Sequence, residues 1–286
     1  MSVIFPMSSQ EVITIPPLFE YPVPPEDIED ITSRCNYLVS HFWENFNFNR
    51  KQSVDQNALN HAFQVYITAA SLADKTLTFK EIDKLIGKIS KNPTLLVQFA
   101  KAAEDNLYGP RADFWQDDLY LKFAETIAKN KKVGDSRRRK YTHQANILKN
   151  THIGNQMPEF EFINSANESK KYFPMSTPTL LIFADPENID WRMQRMKLDT
   201  DSKLNQALEK GKLNVIFIST SSSDNWIKEI SGYPNRWTTG SNPNIEELID
   251  IRISPSCYVI GSDGKIINKN IPVERGLQTI MDQIIL

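Results

Sequence analysis

The sequence predicts an all-helical N-terminal domain followed by an α/β C-terminal domain. Apolar residues recur at steps of three and four through the first half, and no strand-like alternation stands out before residue 150. Beyond it, short continuous apolar runs alternate with helix-length segments, as expected for strands buried on both faces of a sheet. A chain of 286 residues suits two domains at ~150 residues each. The expected boundaries are an arm over 1–25, a helical domain over 26–150 and an α/β domain over 151–286.

Pro6, Pro16, Pro17, Pro22, Pro24 and Pro25 crowd the first 25 residues. Each fixes φ and lacks an N–H, so this lead-in reads as extended. Ile28, Ile31, Cys35, Leu38 and Phe42 then mark one face of a first helix. Ala62, Val65, Tyr66, Ala69 and Leu72 mark a second. Thr78-Phe-Lys-Glu81 has capping-box spacing and is expected to open a third, carrying Ile82, Leu85, Ile86 and Ile89 to a stop at Asn92-Pro93. Leu95, Leu96, Phe99 and Ala103 continue to the Gly109-Pro110 break. Leu119, Phe123 and Ile127 define the next helix, and a further one is expected over Ser136–Lys149.

In the second half, Thr179–Phe183 and Val215–Ile218 read as buried parallel strands, joined by a crossover helix within Ile189–Lys210. Ser256–Ile260 and Lys265–Asn268 flank Asp263-Gly264, a hairpin signal. A last helix is expected over Glu274–Ile285.

Composition narrows the function classes. The net charge of −2 gives no general attraction to nucleic acid or an anionic membrane. The longest apolar stretch, Leu180–Ala184, is far below the ~20 residues of a spanning helix. Only two cysteines, Cys35 and Cys257, are present, with no CxxC, and the four histidines have no metal-ligand spacing. No metal or other cofactor is implied. MSVIFPMSSQ shows no secretory leader. The basic run Lys129–Lys140 is read as a solvated helix junction, so nucleic acid is not an expected partner. Asp113, Asp117 and Asp118 are read as a helix start rather than a cation site. Trp43 and Trp115 are read as core, and Ser219–Ser223 as a plain loop.

The strand order and Ser254-Pro255 at the entry to the third predicted strand resemble the thioredoxin fold. Gly154-Asn-Gln-Met-Pro158-Glu-Phe160 resembles the opening of thiol-disulfide reductases related to peroxiredoxins, and Asp250–Tyr258 the segment leading into their cis-proline. Trp226 and Tyr233-Pro-Asn-Arg-Trp237 fit a loop between the middle strands. Tyr21-Pro-Val-Pro-Pro25 and Tyr37–Phe46 are similar to a helical domain of unknown function that precedes such domains in exported bacterial lipoproteins. The resemblance implies a thioredoxin-like C-terminal domain, a cis Ser254–Pro255 bond and a periplasmic or cell-envelope setting.

It also implies a loss. Relatives carry CxxC after the first core strand, with the attacking thiolate at a helix N-terminus. Here the phrase is Phe183-Ala-Asp-Pro-Glu-Asn188-Ile-Asp-Trp191, which sets Asn188 and Trp191 in the two cysteine positions. Neither side chain exchanges disulfides. The expected function is a degenerate, non-catalytic thioredoxin-like protein that binds a peptide or protein partner or serves a structural role. Asn188, Trp191, Ser254 and Pro255 are the candidate groove, with Trp191 expected to offer an aromatic surface. The alternative is a single-cysteine reductase or peroxidase using Cys257, with Arg252 as its basic neighbour. A third reading makes the helical domain an interaction module.

Overall fold

The computed structural model describes residues 16–50, 52–223 and 225–284. Much of the expected proline-rich arm, residues 1–15, lies outside them. The chain divides into two compact units between Thr142 and His143.

The first unit is built from α1 (Ile31–His41), α2 (Gln56–Leu72), α3 (Lys75–Ile89), α4 (Pro93–Leu107), α5 (Asp117–Lys129) and the start of α6 (Asp135–Asn150). Side chains of Asp30, Asp55, Asp74 and Asn92 cap the first four by accepting from backbone N–H groups at 2.7–3.1 Å. The third helix therefore starts before the expected capping box. Asp74 supplies the cap, and Thr78 lies buried inside the helix with its hydroxyl on the Ala70 carbonyl. The expected stripes hold except at one helix terminus in each. Cys35 and Phe42 are buried in the first, Ala62, Tyr66 and Ala69 in the second. Ile31 and Leu72, the first residue of α1 and the last of α2, are 60% and 53% exposed. Within the expected basic run, Lys129, Arg138 and Lys140 pair with Glu125, Asp135 and Glu104. Asp117 and Asp118 fall in the first turn of α5, where the positive end of the helix favours them.

The second unit is a seven-stranded sheet in the order β2-β1-β5-β4-β3-β6-β7. Its strands are β1 (Phe160–Asn164), β2 (Ser169–Tyr172), β3 (Thr179–Ala184), β4 (Asn214–Ser219), β5 (Thr238–Ser241), β6 (Ser256–Ile260) and β7 (Ile266–Ile271). β3 runs parallel to β4 and antiparallel to β6, and all six of its residues are buried. Alternation along β3 splits the core. Leu180, Ile182 and Ala184 face α7 (Ile189–Thr200), α8 (Ser202–Glu209) and α10 (Val273–Met281). Leu181 and Phe183 pack with Phe160, Phe162, Ile245 and Ile249. The crossover is two helices rather than one because Asp201 ends α7 and caps α8, accepting from Leu204 N–H at 2.8 Å. The β6–β7 turn uses Gly264 at φ 77°, as the Asp-Gly signal requires. The β1–β2 hairpin and β5 were not expected. α9 (Trp226–Glu229) is a single turn. Among the described residues no helix is long and apolar enough to cross a membrane, and no cluster of three or more ligating side chains could hold a metal.

Gly276 on α10 lies against β6 so closely that a Cβ there would meet Cys257 Sγ at 2.4 Å and Leu180 Cδ1 at 3.2 Å. Gly276→Ala should lower the unfolding free energy measured in urea by about 1–3 kcal/mol through overpacking. Cys257→Ala in the same chain should recover a measurable part of that loss, read as a double-mutant coupling. Strict additivity would show that the helix does not press on the sulfur.

Candidate functional site

β3 ends at Ala184, and Asp185-Pro186-Glu187 turns the chain into α7. Asn188 is the N-cap of that helix. Its Oδ1 accepts from Trp191 N–H at 3.0 Å, and its Nδ2 donates to the Ser254 carbonyl at 3.4 Å. The Ser254–Pro255 peptide is cis, as the resemblance implied. Asn188, Ser254 and Pro255 thus come together at the C-terminal edge of the sheet. Ser254 is exposed and Pro255 buried.

Trp191 behaves otherwise than expected. It offers no aromatic surface, being 0% exposed. Its ring stacks on Phe217 at 5.0 Å and 5°, and its Nε1–H donates to Tyr233 Oη at 2.7 Å. Trp237 closes the cluster at 6.4 Å. The physical reason is its place on α7: three residues beyond the cap, the side chain turns inward over β4 and fills the helix–sheet interface. Burial raises the Tyr233 phenol, opposed by the bond from Trp191.

Cys257 lies on β6, one strand in from the β7 edge of the sheet, opposite Ile182 of β3, and is 0% exposed. Burial alone pushes its thiol well above the ordinary range. A reactive cysteine needs a stabilised thiolate and access. Arg252, expected as its basic partner, instead grips Asp250 through Nε at 2.9 Å and Nη2 at 2.6 Å. The geometry gives Cys257 the environment of a small buried hydrophobe.

The Asp250 carboxylate also accepts from Lys269 Nζ at 2.7 Å, and all three charged side chains are at most 5% exposed. Around them, Asn270 Nδ2 donates to the Asp250 carbonyl at 2.8 Å. Asn270 Oδ1 accepts from Arg252 N–H at 3.0 Å and Ser256 Oγ at 2.9 Å. This network ties the segment on both sides of Pro255 to β7. Sequence reasoning quoted Asp250 and Arg252 without assigning them to it. Lys269 and Asn270 carried no sequence signal, because their partners lie 14 to 20 positions away.

Replacing Asp250 by Asn should destabilise the protein by about 3–5 kcal/mol in urea unfolding, because two buried cations lose their counter-charge. A loss below about 1 kcal/mol, that of an exposed pair, would contradict the buried network. Cys257 gives a second outcome. An unfolded thiol ionises from about pH 8.5 while the folded one stays protonated, so the unfolded state binds fewer protons there. Stability should therefore fall as pH rises from about 8 to 10, with a one-proton slope of up to about 1.4 kcal/mol per unit. Cys257→Ala should lose that one-proton share of the slope, while buried phenols such as Tyr66 keep theirs near pH 10; equal slopes in both proteins would mean the thiol is not sealed.

Comparison with known proteins bears on the fold and on the helical domain. None of the curated proteins compared with the chain matches it. A thioredoxin-like protein from Bacteroides caccae superposes with TM-score 0.74 at 18% identity, covering 93% of this chain and 99% of that one. A conserved protein of unknown function from Bacteroides fragilis gives 0.42 at 21% identity, over 45% of this chain and 98% of its own. The thioredoxin domain of a thiol-disulfide oxidoreductase from Bacteroides vulgatus gives 0.40 at 17% identity, over 46% and 96%. The α/β unit therefore has the thioredoxin-like fold. Residues 5–151 match the family described as a domain of unknown function, DUF5106. That match takes in more than half of the sequence, and the chain belongs to the DUF5106 family, with a thioredoxin-like domain following the helical one.

Proposed function

We propose that the thioredoxin-like domain binds an extended peptide or protein segment beside Pro255 and carries no dithiol chemistry. The observation that carries this reading is Asn188. A cysteine at a helix N-terminus gains its reactivity from unsatisfied backbone N–H groups. Here the Asn188 amide takes one of them, Trp191 N–H, and spends its own N–H on Ser254. The position holds the loop in place and has no thiolate with which to attack a disulfide.

A second feature supports a partner. Ile189, Met193 and Met196 lie at i, i+4 and i+7 on α7 and are 72%, 54% and 61% exposed. An apolar stripe in solvent next to a fixed loop suits an adaptable contact, and methionine is well fitted to that role. In the strand-addition mode, backbone groups at Ser254 would pair with an extended segment while the stripe receives its side chains. The Ser254 carbonyl has a second lone pair for this. The cell envelope, implied by the resemblance, is the setting of the proposal.

Two measurements test it. Insulin reduction by dithiothreitol should proceed at the reagent's own rate, and an acceleration abolished by Cys257→Ser would replace this reading with a single-cysteine enzyme. Reduced, unfolded peptides should bind in fluorescence anisotropy, with affinity lowered about tenfold or more by Ile189→Asp plus Met193→Asp. Both positions are exposed, so the fold should survive the change. Affinity indifferent to that pair and to Pro255→Ala would end the groove idea.

A further inference from the structure

We propose that the helical unit holds a second, separate binding site, a cleft at the start of α6 that takes a small organic phosphate monoester. The cleft measures about 310 Å³. That is roughly twice the ~150 Å³ that holds benzene in another protein, and at the lower end of the ~300–1,000 Å³ of small-ligand pockets. The space suits a phosphate head with one ring or short chain attached.

Three stretches of chain line it. Ser53 comes from the segment entering α2, Thr94 from the first turn of α4, and Lys132 and Arg137 from the α5–α6 connection and the first turn of α6. All four side chains are exposed, so a ligand can reach each of them. Hydrogen bonds within the protein hold the stretches in place. The Gln98 side chain accepts from Val54 N–H at 3.1 Å and donates to the Val54 carbonyl at 2.7 Å, which ties the α2 entry to α4. Asn130 donates to the Ser90 carbonyl at 3.3 Å and accepts from Lys132 N–H at 3.0 Å, which fixes the α5–α6 connection. A wall set in advance spares the ligand the cost of ordering it.

The charge of the lining selects the ligand. Among the described residues neither Lys132 nor Arg137 takes part in an ion pair. Their neighbours in the basic run differ, because Lys129, Arg138 and Lys140 are committed to Glu125, Asp135 and Glu104. No acidic side chain of the described residues lines the cleft. Two acids close by in the chain are engaged elsewhere, Asp135 with Arg138 and Asp55 in capping α2. Two uncompensated cations match a phosphate monoester, which carries about −1.5 to −2 at pH 7. The Arg137 fork fits two phosphate oxygens at once, and Lys132 adds a point charge. The hydroxyls of Ser53 and Thr94 can donate to the remaining oxygens. Gly134 opens α6, its carbonyl accepting from Arg138 N–H at 3.1 Å, so the positive end of that helix adjoins the cleft. Pro93 and Val97, one turn apart on α4 and half-buried, offer apolar surface that only an organic ester would use. The chain's net charge of −2 keeps the attraction local, which disfavours a long polyanion.

Calorimetry on the full chain at low salt would test this with phenyl phosphate and glycerol phosphate. Inorganic phosphate, phenyl sulfate and a single-stranded DNA octamer serve as comparisons. At least one organic phosphate should bind saturably, with Kd at or below about 1 mM, and added salt should weaken it. Phenyl sulfate, with a single charge on the same ring, should bind about tenfold more weakly than phenyl phosphate. Lys132→Ala and Arg137→Ala should each cost about tenfold, the loss of one charge-assisted hydrogen bond. Both positions are exposed, so the fold should survive, and Arg137→Lys should restore only part of the affinity. Arg139→Ala removes an exposed cation of the same helix that does not line the cleft, and it should leave binding unchanged. Absence of saturable binding, or an equal loss from Arg139→Ala, would overturn the proposal. So would inorganic phosphate or phenyl sulfate matching the organic phosphates, or a preference for the octamer.

Discussion

The Asp250 carboxylate, 1% exposed, holds two cations in an interior where an unpaired charge is costly. That constraint reaches well beyond the three residues. Arg252 and Ser256 are both tied to Asn270, so Ser254 and Pro255 lie between fixed points. The Tyr258 hydroxyl reaches back to the Asp250 carbonyl at 2.6 Å and locks the start of β6 to the same hub. Moving any one member would strand a polar group in the interior. A connected buried network therefore defines one register for β6 and β7 where hydrophobic contacts alone would tolerate several.

On the other side of the same edge, geometry comes from aromatic packing. Trp191, Phe217, Tyr233 and Trp237 fill the space between α7 and the sheet, and a single hydrogen bond orients the indole. Arg195 lies over the Tyr233 ring at 5.0 Å and covers its outer face. The Asn188 amide bridges the two halves of the edge. One half is polar and charged, the other aromatic, and each excludes water by its own means.

Much of this was legible from residue order. The buried strands β3, β4 and β6 announced themselves as unbroken apolar runs, and Asp263-Gly264 marked the hairpin. β5 was not legible because Thr-Thr-Gly-Ser has neither an apolar run nor alternation; the neighbouring strands make it a strand. β1 did alternate, with Phe160 and Phe162 buried between exposed neighbours, but it is short and was absorbed into a motif. At the site, Asn188 and Pro255 could be placed by resemblance. The inward turn of Trp191 could not, because it depends on Phe217 and Tyr233, which lie far along the chain. The break in the crossover was present as Asp201-Ser202, a cap signal inside an otherwise helical stretch.

Trp191 also bears on what this sequence can become. Position 188 sits at the surface end of a helix, where a cysteine costs little more than a cap. Position 191 is different. A cysteine there would leave most of an indole's volume empty and strip the Tyr233 hydroxyl of its donor, a loss of about 3–5 kcal/mol from a total of about 5–15. A change at position 191 would therefore consume a large share of the fold's stability. The tryptophan thus makes the two positions unequal: residue 188 can vary at the rim of this domain at small cost, whereas residue 191 is pinned by the packing beneath it.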